Sequence, residues 1–337
     1  NWYDFTNLNA YVLKWSIVGD NGKMLAKGEQ SIEVAPHATT EVSLGGVRLP
    51  RNIREAYLNL SWTPKKKSAF IGTDDEVAYD QFVLPANSQY RPTLAKLSEK
   101  PEIQIDPKTG ALTSYIYEGQ EYLASPVRLS LYRPATDNDN REKKGGAKVW
   151  RKLGLNHLVQ RVLSVKTSGH TTYSEVKLLN DKNETIGSAT FEYTIRKDGI
   201  LSVQTRFVPD TTFVSSLARV GLVFEMPHSF NRVTYLGRGE HETYADRKLS
   251  GRIGIYHTDA ERMFHYYVRP QATGNRTDVR WMQVSDELGK GLSVWGEKSF
   301  EFSVSPFTDE NIDAAGHINK LKRNGTVTVH LDALQSG

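Results

Sequence analysis

Apolar residues return at every second position through most of this chain, and that period constrains its fold more than any other feature. Tyr11, Leu13, Trp15 and Ile17 share one face of such a run; Leu58, Leu60 and Trp62 share another, and Ala78, Asp80, Phe82 and Leu84 a third. Past residue 100 the pattern resumes at Leu112, Ser114 and Ile116, then at Thr190, Glu192 and Thr194 opposite Phe191, Tyr193 and Ile195. A turn at Asp198-Gly199 follows, and Leu201, Val203, Thr205 and Phe207, then Ala218, Val220, Leu222 and Phe224, keep the same spacing. Successive side chains of a strand point to opposite faces, so the chain is predicted to be all-β. Only 148–159, carrying Val149, Trp150, Leu153 and Leu158, and 309–322, carrying Ile312, Ala315, Ile318 and Leu321 behind a Thr308 or Asp309 cap, are spaced for helices.

At 337 residues the chain exceeds the size at which one core stops growing, which predicts two domains. About seven short strands fit before residue 85, the first two joined at Gly19-Asp20-Asn21-Gly22, and they suggest an immunoglobulin-like β-sandwich. Between Pro85 and Pro101 the period lapses, so the boundary is placed near residue 95, giving domains 1–94 and 95–337.

Composition removes several functions. A net charge of +4, from 43 basic and 39 acidic residues, is slight for this length, and Lys65-Lys66-Lys67 is the only short basic run, so no nucleic-acid partner is expected. Without Cys there is no disulfide, thiolate zinc site or cysteine nucleophile. No apolar run approaches the roughly eighteen residues of a membrane helix, so no membrane partner is expected. The compartment, cytoplasmic or periplasmic, stays open. The first residues, Asn1 to Phe5, carry neither a signal peptide nor an initiator Met, which reads as a chain cut from something longer.

The densest polar cluster is Arg133-Pro134-Ala135-Thr136-Asp137-Asn138-Asp139-Asn140. Leu129, Leu131 and Arg133 share a strand face, and Pro134 has no N–H for a ladder, so a loop is expected to begin there. Its acids and amides either close Asx turns, or present Asp137 and Asp139 one strand repeat apart, about 6.5 Å, to a metal or to sugar hydroxyls.

Gly237-Arg238-Gly239 lacks the third Gly and the βαβ setting of a nucleotide site. His241 between Glu240 and Glu242 does not make a metal site, because neighbours on a strand face opposite ways. No Gly-x-Ser-x-Gly elbow marks a serine nucleophile. A third cluster, 269–281, is read either as an ion-paired loop or as a sugar-binding edge.

Taken together, three clusters resemble the C-terminal part of the large bacterial β-galactosidases of glycoside hydrolase family 2. Arg133 to Asp139 is similar to the family's Arg-Ala-Pro-Thr-Asp-Asn-Asp, with Pro and Ala exchanged. Leu236 to Arg247, which holds Glu242, Tyr244, Asp246 and Arg247, resembles Leu-Gly-x-Gly-Pro-x-Glu-x-Tyr-x-Asp-Arg, with Glu240 in place of Pro. Pro270 to Trp281, which holds Asn275, Arg276, Asp278, Arg280 and Trp281, resembles Pro-Gln-Glu-x-Gly-Asn-Arg-x-Asp-x-Arg-Trp, with Ala272 in place of Glu. Tyr3-Asp4-Phe5 and Leu13-Lys14-Trp15 look like the start of the family's fourth domain.

The resemblance implies an immunoglobulin-like sandwich followed by a galactose-mutarotase-like β-supersandwich. It implies that both catalytic Glu residues of this retaining hydrolase lie in an upstream barrel outside the chain. It also implies that the chain stops short of the family's galactose-stacking Trp. Arg133, Asp137, Asn138 and Asp139 then root a flap at the mouth of a β-galactoside pocket, although Arg141 stands where a Gly hinge is usual. For Arg276, Asp278 and Arg280 an internal ion-pair network is expected. The resemblance implies a Mg2+- and Na+-dependent parent that is a homo-oligomer, while no cofactor or metal is expected in this segment. The alternatives are a stand-alone carbohydrate-binding module centred on Trp281 and an aldose 1-epimerase-like enzyme with a His acid and a carboxylate base.

Overall fold

A computed structural model describes residues 1–87, 97–141, 146–212 and 214–336. The chain divides into two compact units, Asn1–Leu94 with Arg252–Ile255, and Ala95–Gly251 with Tyr256–Gly337. The junction expected near residue 95 lies outside the described residues.

In the first unit, β1 (Tyr11–Gly19), β2 (Met24–Gln30), β3 (Glu55–Pro64) and β4 (Ala78–Pro85) form one antiparallel sheet in the order β2-β1-β3-β4. The hairpin closes as the sequence predicts: Gly22 takes a φ of 77° and its N–H donates to the Gly19 carbonyl at 2.9 Å. Ile17, Ile53 and Ala56 form the buried centre, with Val47 and Leu49 against it. Against an expectation of about seven strands, four form among the described residues. The connection 31–54 runs without a ladder, because Pro36 and Pro50 have no N–H to donate. Val34 and Ile53 within it are buried, and the Val34 carbonyl accepts from the Leu8 N–H at 3.1 Å.

The second unit opens with β5 (Glu102–Ile105), β6 (Leu112–Tyr117) and β7 (Gln120–Glu121) in one small sheet. Then follow β8 (Arg128–Ser130), the helices α1 (Asp137–Arg141) and α2 (Gly146–Lys152), and a four-stranded sheet of β9 (Val159–Ser168), β10 (Thr171–Leu179), β11 (Thr185–Ile195) and β12 (Leu201–Pro209). The remaining elements are β13 (Arg219–Pro227), β14 (Arg232–Gly239), β15 (Arg252–Asp259), α3 (Ala260–Met263), β16 (Arg276–Ser285), β17 (Gly291–Ser305), α4 (Asp309–Ala314) and β18 (Thr326–Gln335). They complete a seven-stranded sheet in the order β15-β14-β16-β17-β18-β13-β8.

Val176, Leu178, Ile186, Phe191 and Tyr193 of the four-stranded sheet share one buried cluster with Phe224, Met226, Tyr235, Phe302 and Val329 of the seven-stranded sheet. This unit is thus a sandwich of two sheets, and the whole chain is all-β. Strand β18 is buried on both faces. Val327 and Val329 enter the apolar cluster, while Thr328, His330 and Asp332 are buried on the opposite side.

Three local expectations are corrected. The helix expected over 148–159 runs from Gly146 to Lys152, because Gly154 adopts a φ of 68° and ends it before β9 begins. The helix expected over 309–322 stops at Ala314, although the Thr308 cap forms, its hydroxyl accepting from the Asn311 N–H at 3.2 Å. The segment after Arg133 is not all loop, since Asp137–Arg141 is helical. Residues 142–145 of the expected flap lie outside the described residues.

Candidate functional site

Strand pairing on β8 ends at Ser130, and the next five residues are all buried. Arg133, 1% exposed, turns its guanidinium toward Asp139: Nη1 lies 2.7 Å from Oδ2 and Nη2 3.2 Å from Oδ1. Nη2 also donates to the Ser336 carbonyl and hydroxyl at 3.3 and 3.1 Å, and the guanidinium carbon sits 5.4 Å from the centre of the Trp150 ring. Asp139 has a second duty. Its Oδ2 accepts from the Thr136 N–H at 2.7 Å, while Thr136 Oγ1 accepts from the Asp139 N–H at 3.3 Å, a reciprocal cap on α1. Asp137 and Asn138 stay exposed. Two residues apart on a helix, Asp137 and Asp139 point to opposite sides, so the paired-carboxylate geometry of an extended strand does not exist.

The structure brings the three sequence clusters together by hydrogen bonds. The Ala272 N–H donates to the Pro134 carbonyl at 3.2 Å, and the Asp137 N–H to Gln271 Oε1 at 3.0 Å. Glu242 binds the third cluster to the second: Oε2 accepts from Thr273 Oγ1 at 2.7 Å and from the Gly274 N–H at 2.8 Å. Its Oε1 accepts from Arg247 Nη2 and from the Tyr267 hydroxyl, both at 2.7 Å. Burial works to raise the Glu242 pKa, but these four donors outweigh it and hold the carboxyl at about 2. Beside it, Tyr244 is buried under the Arg247 guanidinium at 4.8 Å, and burial pushes its hydroxyl pKa up. Asp246 points to solvent.

Asn275, 1% exposed, donates from Nδ2 to the Thr243 carbonyl at 3.1 Å and to Glu301 Oε2 at 2.6 Å. Arg276, 3% exposed, has no carboxylate partner among the described residues. It donates to the Tyr235 hydroxyl at 2.8 Å and to the carbonyls of Glu240, Gly274 and Asn275. The expected internal ion-pair network forms around Asp278, which pairs with Arg238 at 2.5 Å and Lys248 at 3.3 Å, while Arg280 donates to the Asp278 carbonyl and Arg276 is held by neutral acceptors. Trp281 stands on β16 opposite Trp295 of β17. His241 bonds Ser250 Oγ at 2.8 Å.

A second polar group went unforeseen. On the side of β13 and β18 turned away from the apolar cluster, Arg219 lies 2.5 Å from His330 Nδ1, 2.8 Å from Gln335 Oε1 and 3.5 Å from Asp332 Oδ2. Asp309, at the start of α4, lies 3.3 Å from His330 Nε2. Burial raises the Asp332 pKa; it opposes ionisation of Asp309 too, but His330 and Arg219 pull that carboxyl below its usual range. Glu301, on the neighbouring strand, is raised to about 7 by burial. Its signal is readable in the sequence: Thr326, Thr328, His330 and Asp332 alternate with Val327, Val329 and Leu331.

Among the described residues no group of three or more His, Asp or Glu side chains is placed to hold a metal ion. Among the described residues no helix is long and apolar enough to cross a membrane.

The model of the β-galactosidase small chain matches residues 98–337, and that of β-galactosidase domain 4 matches residues 1–85. The chain belongs to the β-galactosidase small chain family. It is 31% identical to a β-galactosidase of Priestia megaterium over 99% of its own length and 34% of that protein. It is 24% identical to a β-galactosidase of Actinobacillus pleuropneumoniae, covering 100% of this chain and 34% of the relative. With β-galactosidase 2 of Enterobacter cloacae it shares 26% identity over 99% of this chain and 34% of that one. The chain thus spans about a third of the length of the curated relatives it matches.

Proposed function

We propose that this chain works as the C-terminal part of a glycoside hydrolase family 2 β-galactosidase, a retaining hydrolase of terminal β-D-galactosides. In that reading an upstream barrel supplies both catalytic carboxylates and the Mg2+ and Na+ sites, and the second unit, a mutarotase-type supersandwich, shapes the pocket mouth. The observation that carries it is the joining of three family motifs into one hydrogen-bonded ridge, through Ala272 to Pro134, Asp137 to Gln271, and Glu242 to Thr273 and Gly274.

The ridge is built for position, not for proton transfer. A retaining pair needs two carboxyl groups about 5 Å apart, one of them with a raised pKa. Asp139 is occupied by Arg133 and the helix cap, and Glu242 is held at about 2. The exposed Asp137 and Asn138 are the groups left to face a pocket. Subunit assembly belongs to the same proposal.

The test is hydrolysis of a nitrophenyl β-galactoside. The chain alone is expected to show none, and Asp137→Ala in the longer enzyme is expected to raise KM while kcat changes little. Turnover by the chain alone, lost on mutation of its own residues, overturns the reading.

A further inference from the structure

The four-stranded sheet ends in β12, a strand of nine residues that pairs with β11 alone among the described residues. The opposite edge is blunted: β9 carries a bulge against β10 and the charges of Arg161 and Lys166. β12 has no such protection. Its register with β11 runs from Leu201 to Pro209 without a bulge, Arg206 is its one charged residue, and its proline stands last.

Ladder bonds of an antiparallel pair alternate, so parity tells which backbone groups of β12 face outward. The Arg196 N–H donates to the Ile200 carbonyl and the Asp210 N–H to the Ile186 carbonyl, both at 2.9 Å, one at each end of the β11–β12 pair. Both ends agree. Ser202, Gln204, Arg206 and Val208 turn their N–H and C=O groups to β11, and Val203, Thr205 and Phe207 turn theirs to the open edge. The side chains of Val203 and Thr205 lie on the face of their buried partners Tyr193 and Phe191, yet Val203 is 38% exposed and Thr205 is exposed too.

We propose that β12 is an interface strand, pairing edge to edge with β12 of a second copy of this chain, antiparallel about a two-fold axis at Thr205. Thr205 is the midpoint of Leu201–Pro209, so this axis overlaps the strands along their whole length. Val203 then meets the partner's Phe207, an apolar cross-strand pair that covers the exposed valine. Leu201 meets the partner's Pro209, which accepts without having to donate. Arg206 meets the partner's Gln204, so like charges are not opposed. One strand pair buries less than the roughly 1,200 Å2 of a stable interface, and the dimer is expected to form at about micromolar concentration.

The proposal rests on the assembly role given above and names its surface. Sedimentation needs no substrate, so its failure leaves the reading of hydrolysis where it stood. The 337-residue chain should pass from monomer to dimer between about 1 and 100 µM. Thr205→Pro removes an outward N–H without touching the β11 ladder and should hold the chain monomeric. Gln204→Arg sets like charges opposite each other, should weaken the dimer roughly threefold to tenfold, and serves if the proline variant does not fold. The chain has no Cys. On oxidation Thr205→Cys should therefore cross-link two copies at the axis, where paired Cα atoms lie about 5.5 Å apart. Ser202→Cys, about 20 Å from its own copy in this register, should not. A chain monomeric throughout that range, as expected if a strand of the longer enzyme fills this edge, overturns the proposal. So does a dimer indifferent to both substitutions, or equal cross-linking of the two cysteine variants.

Discussion

Arg133 and Asp139, six positions apart, meet at two points, 2.7 Å and 3.2 Å, with the guanidinium 1% exposed. Each also holds another part of the chain: Arg133 binds Ser336 near the end of β18, and Asp139 caps α1. The pair is a clamp on which the exposed Asp137 and Asn138 are mounted.

Breaking that clamp from one side is expected to be costly. Asp139→Ala leaves a buried guanidinium without its carboxylate and should destabilise the fold by about 3 to 5 kcal/mol. Asp137→Ala, at an exposed position, should stay within roughly 0.5 kcal/mol. Urea midpoints of the two variants check this, and equal effects would refute the division of labour between the two aspartates.

Glu242 should make stability depend on acid. Its folded pKa, about 2, lies below its ordinary 4.5, so its contribution is complete above pH 4.5 and is lost as pH falls toward 2. Glu242→Gln should therefore be less stable than the parent at pH 7 and lose less between pH 4.5 and 3. Melting curves across that range read the difference.

Glu301 should act in the opposite sense. Its folded pKa is raised to about 7, so the folded state holds a proton that the unfolded chain releases, and stability falls as pH rises from 4.5 through 7. Glu301→Gln keeps a partner for Asn275 and avoids the buried charge. It should be more stable than the parent at pH 8, with the gap closing below pH 5; a constant gap would refute the shift.

Gly274 should tolerate no side chain. Its φ is 83°, a Cβ there would lie 2.5 Å from the Met263 carbonyl oxygen, and its N–H is one of the Glu242 donors. Gly274→Ala should cost at least about 1 kcal/mol in stability and raise the Glu242 pKa, measurable by carboxyl-resolved NMR titration.

The strands were legible because their period is a local property: Phe191 and Tyr193 alternate in the sequence and are both buried in the fold. Element ends were less legible. Val159 continues the apolar spacing of α2, yet Gly154 breaks the helix first by adopting a positive φ. The Thr136-x-x-Asp139 spacing is a helix-start signal, but Pro134 drew attention to the end of a strand instead. Partners of buried charges were the least legible, since Asp278 chooses Arg238 from β14 over Arg276 and Arg280 of its own strand. Such choices are made in three dimensions. The motifs identified the family, while the buried polar group around Arg219 left no local trace beyond one alternating row in β18.

That row in β18 carries a consequence for how the chain assembles. Val327 and Val329 meet one environment, and Thr328, His330 and Asp332 another. A slip of one residue along β13 or β17 would drive His330 and Asp332 into the apolar cluster and strand Val329 beside Arg219. Gly221 sharpens the penalty, because the backbone opposite Asp332 has room for no Cβ at all, the nearest carboxylate oxygen lying 2.0 Å from where one would be. The buried charges thus proofread the strand, rejecting any one-residue slip of β18.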